Sequence, residues 1–312
     1  MGNGRWDSSS WTAYAAGTVK GRTRSQIFTS TDLAEEFDPA RIKVRESRDG
    51  PLNPAATPIV LASDVTGSMG EIAHVLMRDG LNTLATEVYE RKLGGDPHVM
   101  VMAVGDARTD RAPLQATQFE ADIGLADQVR RLYVEGNGGA NDGESYSGAH
   151  LFAALKTSHD AYEVRRRKGY LFTIGDEPIH DGMTRDQVKR VLGLDVEADI
   201  SARDAIAMAS RTYEVFHVVL CNEGYAGGSR AGLDRVMRSW KPLLPERVMP
   251  LERVDLLAEA VVSAIQVAEG QHKDAVAASW TGKGNGTALV VANAIGGLAA
   301  SGRGGGVRRL GA

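Results

Sequence analysis

The feature that most constrains this fold is a repeated pattern within residues 57–270, where short apolar runs alternate with segments of helical periodicity. Continuous apolar runs are typical of strands buried on both faces, because the helices between them cover a parallel sheet from both sides. The pattern therefore predicts an α/β fold with a mostly parallel sheet and helices on both faces. The apolar runs cover residues 59–62, 99–104, 170–174, 215–220 and 248–251.

One segment departs from this parallel pattern. Residues 106–111 are polar and have the composition of a hairpin turn. They lead into residues 114–119, which have the length and composition of a short strand. We therefore expect one antiparallel strand at the edge of the sheet.

Composition divides the chain into three zones. Residues 1–55 are an N-terminal extension that mixes aromatic side chains with Ser, Thr and Arg, and residues 56–270 carry the α/β pattern. Residues 271–312 are a Gly/Ala-rich C-terminal tail, a composition that is typical of a flexible linker or of disorder. We therefore expect the hydrophobic core in the middle zone.

Charge and hydropathy narrow the classes of function. A formal charge of −4 over 312 residues argues against nucleic-acid binding, which needs clustered Lys and Arg. The apolar segment 288–300 is shorter than the roughly 20 residues of a membrane span, and the N-terminus lacks the pattern of a secretory signal. The single cysteine, Cys221, lies at the end of an apolar run and is predicted to be a core residue. We expect a cytoplasmic protein, or one incorporated in a virion or other assembly, with neither a membrane nor a nucleic-acid partner.

Three oxygen-bearing side chains follow the first apolar run. Asp64, Thr66 and Ser68 stand at alternate positions where the buried strand 59–62 would end. Carboxylates and hydroxyls are hard donors that suit Mg²⁺, Mn²⁺ or Ca²⁺ better than zinc. The alternative role for the two hydroxyls is to cap the helix that follows.

Two further acidic loops are expected at the same edge of the sheet. Residues 138–145 precede an apparent helix and contain Asn141 and Asp142, and Asp176 directly follows the apolar run 170–174. Ligands of open parallel sheets gather beyond the carboxyl ends of the strands, so these loops should meet near Asp64. A plain helix cap at Asp142 and a plain loop turn at Asp176 are the alternatives.

Other polar side chains lie near these loops in the sequence. Glu144, Glu177 and His180 are each within a few residues of a proposed ligand. Exposed acidic and histidine side chains beside a metal site are more often solvated than coordinated. We therefore expect these three residues at the rim of the site.

With these residues in view, the segment from about 57 to 270 resembles the von Willebrand factor A (vWA) domain. The metal-ion-dependent adhesion site of that family is written Asp-x-Ser-x-Ser, then a Thr or Asp in a Gly-rich loop, then an Asp after a later strand. Asp64, Thr66 and Ser68 match the first element with Thr at its middle place, and Asp176 matches the last. In the second element, Ala140 stands where the family pattern has a hydroxyl, so Asp142 takes the place of the ligand, with Asn141 as its alternative.

The resemblance implies a doubly wound, Rossmann-like fold that binds Mg²⁺, or Mn²⁺ or Ca²⁺, without catalysis. The implied ligands are Asp64, Thr66, Ser68, Asp142 and Asp176. Because Mg²⁺ takes about six oxygens, one place is left for an Asp or Glu of a partner protein. The resemblance also implies an AAA+ ATPase as a further partner.

Two other classes of function stay open at this stage. An Mg²⁺-dependent phosphatase of the haloacid dehalogenase pattern would need a second Asp where Thr66 stands, and the Gly-x-Ser-x-Gly motif is incomplete around Ser68. The chain also has no Gly-x-x-x-x-Gly-Lys-Ser/Thr phosphate loop. The other class is a structural subunit of a homo-oligomer or of a larger, phage- or secretion-related assembly. We expect a binding module and no enzyme.

Overall fold

A six-stranded sheet forms the centre of the computed structural model, which describes residues 4–64, 75, 79–134, 143–284 and 286–299. In these residues the strand order is β10-β9-β6-β2-β3-β4, and every neighbouring pair is parallel except β3 and β4. The mixed α/β fold with a mostly parallel sheet is therefore confirmed, and the edge strand is antiparallel. The strands are β1 (Arg45–Ser47), β2 (Ala56–Asp64), β3 (Asp96–Val104), β4 (Leu114–Ala116), β5 (Thr157–His159), β6 (Gly169–Gly175), β7 (Gly182–Met183), β8 (Ile200–Ser201), β9 (Tyr213–Leu220) and β10 (Val248–Leu251).

Both faces of the sheet are buried, which explains the continuous apolar runs. Every residue of β2 and of β6 is buried. Along β2, Ile59 and Leu61 belong to one hydrophobic cluster, whereas Val60 and Ala62 belong to a second one. Because successive side chains of a strand point to opposite faces, the two clusters lie on opposite sides of the sheet.

Helices contribute to both clusters. Among the described residues, one set of helices packs on the cluster of Ile59 and a second set packs on the cluster of Val60. The first set is Leu81–Glu90, Gly124–Arg130, Leu257–Ala268, Lys273–Ala278 and Thr287–Ile295; the second is Ser147–Leu155, Arg185–Leu192, Ala202–Ala209 and Arg230–Trp240. Further helical segments are Ser8–Tyr14, Ala15–Val19, Arg24–Ile27, Glu35–Phe37, Asp160–Glu163, Gly224–Gly228 and Val254–Leu256. No helix in the described part of the chain has both the length and the apolar character that crossing a membrane requires.

The described part of the N-terminal extension packs against the sheet domain. Trp11, Ile27 and Phe37 are buried in the cluster of Ile59. The ring of Trp6 stacks on that of Trp11 with 5.0 Å between centroids, and Trp6 Nε1 donates a hydrogen bond of 2.9 Å to Pro97 O. These aromatic residues are thus part of the core of the molecule.

In its described part, residues 271–284 and 286–299, the C-terminal segment differs from the composition-based interpretation as a flexible linker. Two helices here, Lys273–Ala278 and Thr287–Ile295, pack into the cluster of Ile59 through buried side chains such as Val276 and Ile295. Between them Trp280 is buried, and its Nε1 donates a hydrogen bond of 2.8 Å to Ser263 Oγ. Small residues such as Gly and Ala allow helices to pack closely, but they are also common in disordered linkers. Composition alone therefore does not distinguish the two. The boundaries of the three zones themselves stay a prediction.

The order of the strands reverses between β2 and β6. From β2 the sheet extends through β3 to β4 on one side, and from β6 it extends through β9 to β10 on the other. Ser63 pairs with Ile174 in the register of these two strands, so Asp64 and Gly175 are the next positions on each. Open α/β sheets bind ligands at such a reversal, beyond the carboxyl ends of the strands.

We predict that Trp280→Ala lowers the free energy of unfolding by about 3–5 kcal/mol, because a large buried aromatic side chain is lost from the core. The Arg91 guanidinium, 4.2 Å from the centroid of the Trp280 ring, loses its contact as well. Urea unfolding of the full chain measures the change.

The matched control is Leu289→Ala, in the same C-terminal segment but 68% exposed. Surface substitutions of this kind usually change stability by less than about 0.5 kcal/mol. Equal, small effects of the two substitutions would show that the segment is not part of the cooperatively folded core.

Candidate functional site

Two of the predicted metal ligands lie at the strand reversal. Asp64 is the last residue of β2 and is 0% exposed, and Asp176 follows β6 and is 2% exposed. A side chain built on Gly175 would come within 3.2 Å of Asp64 Cβ, so the end of β6 lies directly against Asp64. The other three predicted ligands, Thr66, Ser68 and Asp142, lie outside the described residues, as does Asn141.

The two carboxylate oxygens of Asp176 have different environments. Oδ2 accepts a hydrogen bond from the backbone N–H of Tyr225 at the start of Gly224–Gly228. Oδ1 is buried and has no hydrogen-bond partner among the described residues. Burial raises the pKa of Asp176, and backbone hydrogen bonds from Tyr225 and Ala226 oppose that shift. One oxygen is thus anchored by the backbone, while the other is available to a ligand.

The loop that carries the predicted second ligand is joined to the loop that carries Asp176. The N–H of Glu144 donates a hydrogen bond of 2.9 Å to Pro178 O, and the N–H of His180 donates one of 3.2 Å to Glu144 O. A side chain on Gly143 would come within 2.7 Å of Pro178 O, so only glycine permits this approach. Gly143, which follows Asp142 in the sequence, thus lies against the loop that carries Asp176.

Glu144 is buried where the two loops meet. The sequence instead predicted a residue at the solvated rim of the site. Burial raises the pKa of its carboxyl from 4.5 to about 10, and the negative charges of Asp64 and Glu177 act in the same direction. A carboxyl with this pKa holds its proton at neutral pH unless a cation enters the site. The pKa of Glu144 therefore depends on the charges of Asp64, Asp106 and Glu177, which together with Glu144 and Asp176 we call the acidic cluster.

Sequence reasoning missed Asp106, which follows β3 and is fully buried. Ser145 Oγ donates a hydrogen bond of 2.9 Å to Asp106 Oδ1, and His180 Nε2 lies 3.3 Å from the same oxygen. Burial raises the pKa of Asp106, but contacts with His180, Arg108 and Ser145 outweigh it and leave the pKa below its usual value. His180 is therefore buried against Asp106, where the sequence predicted a rim residue. The sequence feature that could have identified Asp106 is its position, because it follows an apolar run just as Asp64 does.

Packed aromatic and histidine rings lie on the core side of the site. Tyr146, the residue before Ser147–Leu155, packs edge-on against Trp240 and His217, with centroids 5.2 Å and 5.3 Å away. The rings of His217 and Trp240 are stacked at 3.5 Å, and His217 Nδ1 lies 2.9 Å from Thr173 Oγ1 in β6. These contacts hold the base of the site in one arrangement.

The thiol of Cys221 has no part in this site. Cys221 is buried in the cluster of Val60, as predicted for a core residue. Burial raises its pKa to about 11, so the thiol stays protonated at neutral pH. A protonated, buried thiol is a poor nucleophile.

The donor set can be tested for fit with a hard cation. Carboxylates of Asp64 and Asp176 are the oxygen ligands that Mg²⁺ prefers, and the buried Oδ1 of Asp176, which has no hydrogen-bond partner in the described ranges, can coordinate an ion. The described residues alone contain no group of three or more His, Cys, Asp or Glu side chains placed to hold a metal. The two aspartates thus fit a cation that also needs ligands from outside the described residues.

Comparisons with known proteins give weak likenesses. No family model matches the chain, and no curated protein matches it. Among solved structures, the chain is similar to the pilus adhesin SpaC from Lactobacillus rhamnosus GG in an open conformation, with 11% identity, a TM-score of 0.42, and coverage of 71% of this chain and 31% of that chain. A second SpaC structure gives 12% identity, a TM-score of 0.39, and coverages of 72% and 32%. This chain spans about a third of the length of the SpaC chain, and at these TM-scores neither likeness supports an argument about fold or function.

The raised pKa of Glu144 predicts how the stability of the metal-free protein depends on pH. Folded protein retains a proton on Glu144 that the unfolded chain releases above its pKa of 4.5. In EDTA, this contribution to the free energy of unfolding is fully present below pH 4.5 and is lost as pH rises towards about 10. Glu144→Gln should flatten the decline, measured by urea unfolding between about pH 5 and about pH 8.

Glu197→Gln is the control, because Glu197 is an exposed carboxylate outside the site. Its pH profile should overlay that of the wild type. If Glu144→Gln also overlays the wild type, the Glu144 carboxyl is ionised in the metal-free fold and the account of the acidic cluster is wrong.

Proposed function

We propose that this chain is a divalent-cation-dependent protein-binding module of the vWA type, with a doubly wound fold and a metal-ion-dependent adhesion site. The observation that carries the proposal is the pair Asp64 and Asp176, which are buried at the strand reversal, with Asp176 Oδ1 unpartnered among the described residues. The proposed ion is Mg²⁺, with Mn²⁺ or Ca²⁺ as substitutes.

Charge supports a cation at this place. Asp64, Glu144 and Asp176 are all buried, and Asp64 raises the pKa of Glu144 by repulsion. Buried like charges are unfavourable unless they are protonated or neutralised. A bound divalent ion is often the largest local charge of a site, and it stabilises the ionised carboxylates around it.

Three further ligands complete the proposed site. Thr66 and Ser68 would add hydroxyl oxygens from the segment after β2, and Asp142, or Asn141 in its place, would add an oxygen from the second loop. The backbone contacts of Glu144 with Pro178 and His180 support this second assignment, because they hold Gly143, which follows Asp142 in the sequence, against the loop that carries Asp176.

The mode of recognition follows from the coordination number of the ion. Mg²⁺ takes about six oxygens, and the protein ligands leave a place that an Asp or Glu of a partner protein can fill. The ion then supplies a strong short-range attraction for that carboxylate. The chain's own residues hold the ion and orient the open place, and no covalent bond is made. An AAA+ ATPase partner, homo-oligomerisation and membership of a larger assembly remain proposals.

We predict that Mg²⁺ or Mn²⁺ raises the melting temperature of the full chain and that Asp64→Asn abolishes the shift. At an ion concentration about 100 times the dissociation constant, the gain in free energy of unfolding is about 2.7 kcal/mol. The asparagine keeps the shape of the side chain and removes its charge. Differential scanning calorimetry with excess ion and with EDTA measures both effects.

Asp181→Asn provides a matched control, because this exposed aspartate lies in the segment that follows His180. It should keep the full ion-dependent shift. A wild-type melting curve that is the same in Mg²⁺ and in EDTA would contradict the proposal. So would turnover of p-nitrophenyl phosphate with Mn²⁺ that disappears in Asp64→Asn, since it would make the site catalytic.

The binding role predicts a partner that depends on both the ion and Asp64. Affinity capture from native lysate with the full chain should retain a protein in Mg²⁺ that is released by EDTA. The same protein should be missing with Asp64→Asn as bait and present with Asp181→Asn. A partner that stays bound in EDTA and to Asp64→Asn would show that recognition uses another surface.

A further inference from the structure

One buried hydroxyl at the candidate site, that of Tyr146, is not explained by hydrogen bonding within the described residues. Tyr146 is fully buried, and its Oη has no hydrogen-bond partner among the described residues. Its ring is held edge-on by Trp240 and His217, so the side chain has little freedom to turn away. The position of the hydroxyl is therefore imposed by the surrounding core.

The hydroxyl lies in a notch that only glycine leaves open. A side chain added to Gly175, the last residue of β6, would overlap Tyr146 Oη. The same added atom would lie 3.2 Å from Asp64 Cβ. Because Asp176 is the next residue, the hydroxyl lies against the backbone at the point where the start of the Asp176 loop meets Asp64.

Electrostatics give the same location. Burial raises the pKa of the Tyr146 hydroxyl well above its usual value, and the charges of Asp64 and Asp176 are the next largest causes. The hydroxyl therefore keeps its proton and is available as a donor to an oxygen acceptor. Asp64 and Asp176 supply the negative charge that such a donor favours.

The residue type is informative because phenylalanine would fill the same core position without a polar atom. Burial of a hydroxyl without a hydrogen bond destabilises the folded state. A tyrosine here is thus unfavourable in the fold without ligands, and becomes favourable once an acceptor is bound beside it.

We propose that Tyr146 is a positioning residue of the cation site, whose hydroxyl donates a hydrogen bond to an oxygen coordinated to the ion. The acceptor is a water on the ion, which is present only when the ion is bound. The inference rests on the proposed function, since it assigns Tyr146 a role towards the same ion. Groups that orient metal ligands in this way typically contribute 10- to 100-fold to metal affinity.

Two effects of opposite sign distinguish this role from simple packing. Without metal, Tyr146→Phe removes a buried polar atom that has no hydrogen-bond partner among the described residues, so its melting temperature in EDTA should equal or exceed that of the wild type. With metal, the same substitution removes a donor from the ion's surroundings, so the dissociation constant for Mg²⁺ should rise roughly 10- to 100-fold. A residue with a purely structural role would not show this separation.

Tyr213→Phe is the matched control. Tyr213 is also fully buried, but its hydroxyl lies 2.7 Å from Thr157 Oγ1, within hydrogen-bonding distance. Its loss should lower the melting temperature in EDTA and leave the dissociation constant for Mg²⁺ unchanged. Both substitutions remove a tyrosine hydroxyl. Tyr146→Phe is expected to weaken Mg²⁺ binding without lowering the melting temperature in EDTA, and Tyr213→Phe is expected to do the reverse.

The experiment is isothermal titration of Mg²⁺ into the full chain, with melting temperatures in EDTA, for the wild type, Tyr146→Phe, Tyr213→Phe and Asp64→Asn. The inference is supported if Tyr146→Phe weakens Mg²⁺ binding and is not destabilised in EDTA. It is overturned if Tyr146→Phe binds Mg²⁺ as tightly as the wild type, or is destabilised in EDTA as much as Tyr213→Phe. If the wild type binds no ion, the proposed function is wrong, and this inference is wrong with it. If the wild type and Tyr146→Phe bind the ion equally well, only this inference is wrong.

Discussion

Burial of several carboxylates at one end of a parallel sheet is the constraint on which the rest of this structure depends. Asp64, Asp106, Glu144 and Asp176 are all buried around the carboxyl ends of β2, β3 and β6. Such groups are tolerated only when they are hydrogen-bonded, protonated or neutralised. The structure uses the first two means: Ser145 and His180 contact Asp106, and Glu144 has a strongly raised pKa. For the Asp64 and Asp176 pair, we propose the third means, a divalent cation.

The scaffold beneath this cluster is rigid enough to hold it. β2 and β6 are buried along their whole length and pair in parallel at the strand reversal. Below them, Tyr146 and His217 pack against Trp240, so the core is continuous with the base of the site. Metal ligands need to be held to within about 0.5 Å, and strand ends in a close-packed core can provide that precision where a free loop cannot.

The sheet was predictable because burial on both faces excludes polar residues from its strands. Residues 59–62 and 170–174 are apolar for that reason, and both lie inside strands. The antiparallel edge strand was also foreseen, although it covers only Leu114–Ala116 of the predicted 114–119. The location of Asp64 and Asp176 followed from the rule that parallel strands end at one edge.

Other features depended on three-dimensional contacts that no local pattern encodes. Asp106 has the composition of a turn residue, and its burial is set by Ser145 and His180, distant in sequence. Trp280 lies in a segment whose Gly and Ala content resembles a linker, yet it is buried against Ser263. The role of Tyr146 depends on the absence of a side chain at Gly175, which becomes meaningful only when the two are adjacent.

Thr66, Ser68 and Asp142 lie outside the described residues and stay predictions from sequence. The central claim, that the acidic cluster binds one hard cation, is tested most directly by electron paramagnetic resonance of Mn²⁺ titrated into the full chain. Free aqueous Mn²⁺ gives a sharp signal that is broadened when the ion is bound to a protein. The account predicts that the wild type removes one equivalent of the free signal and that Asp64→Asn removes none. A free signal that grows in proportion to added Mn²⁺ from the first addition of ion to the wild type would contradict it.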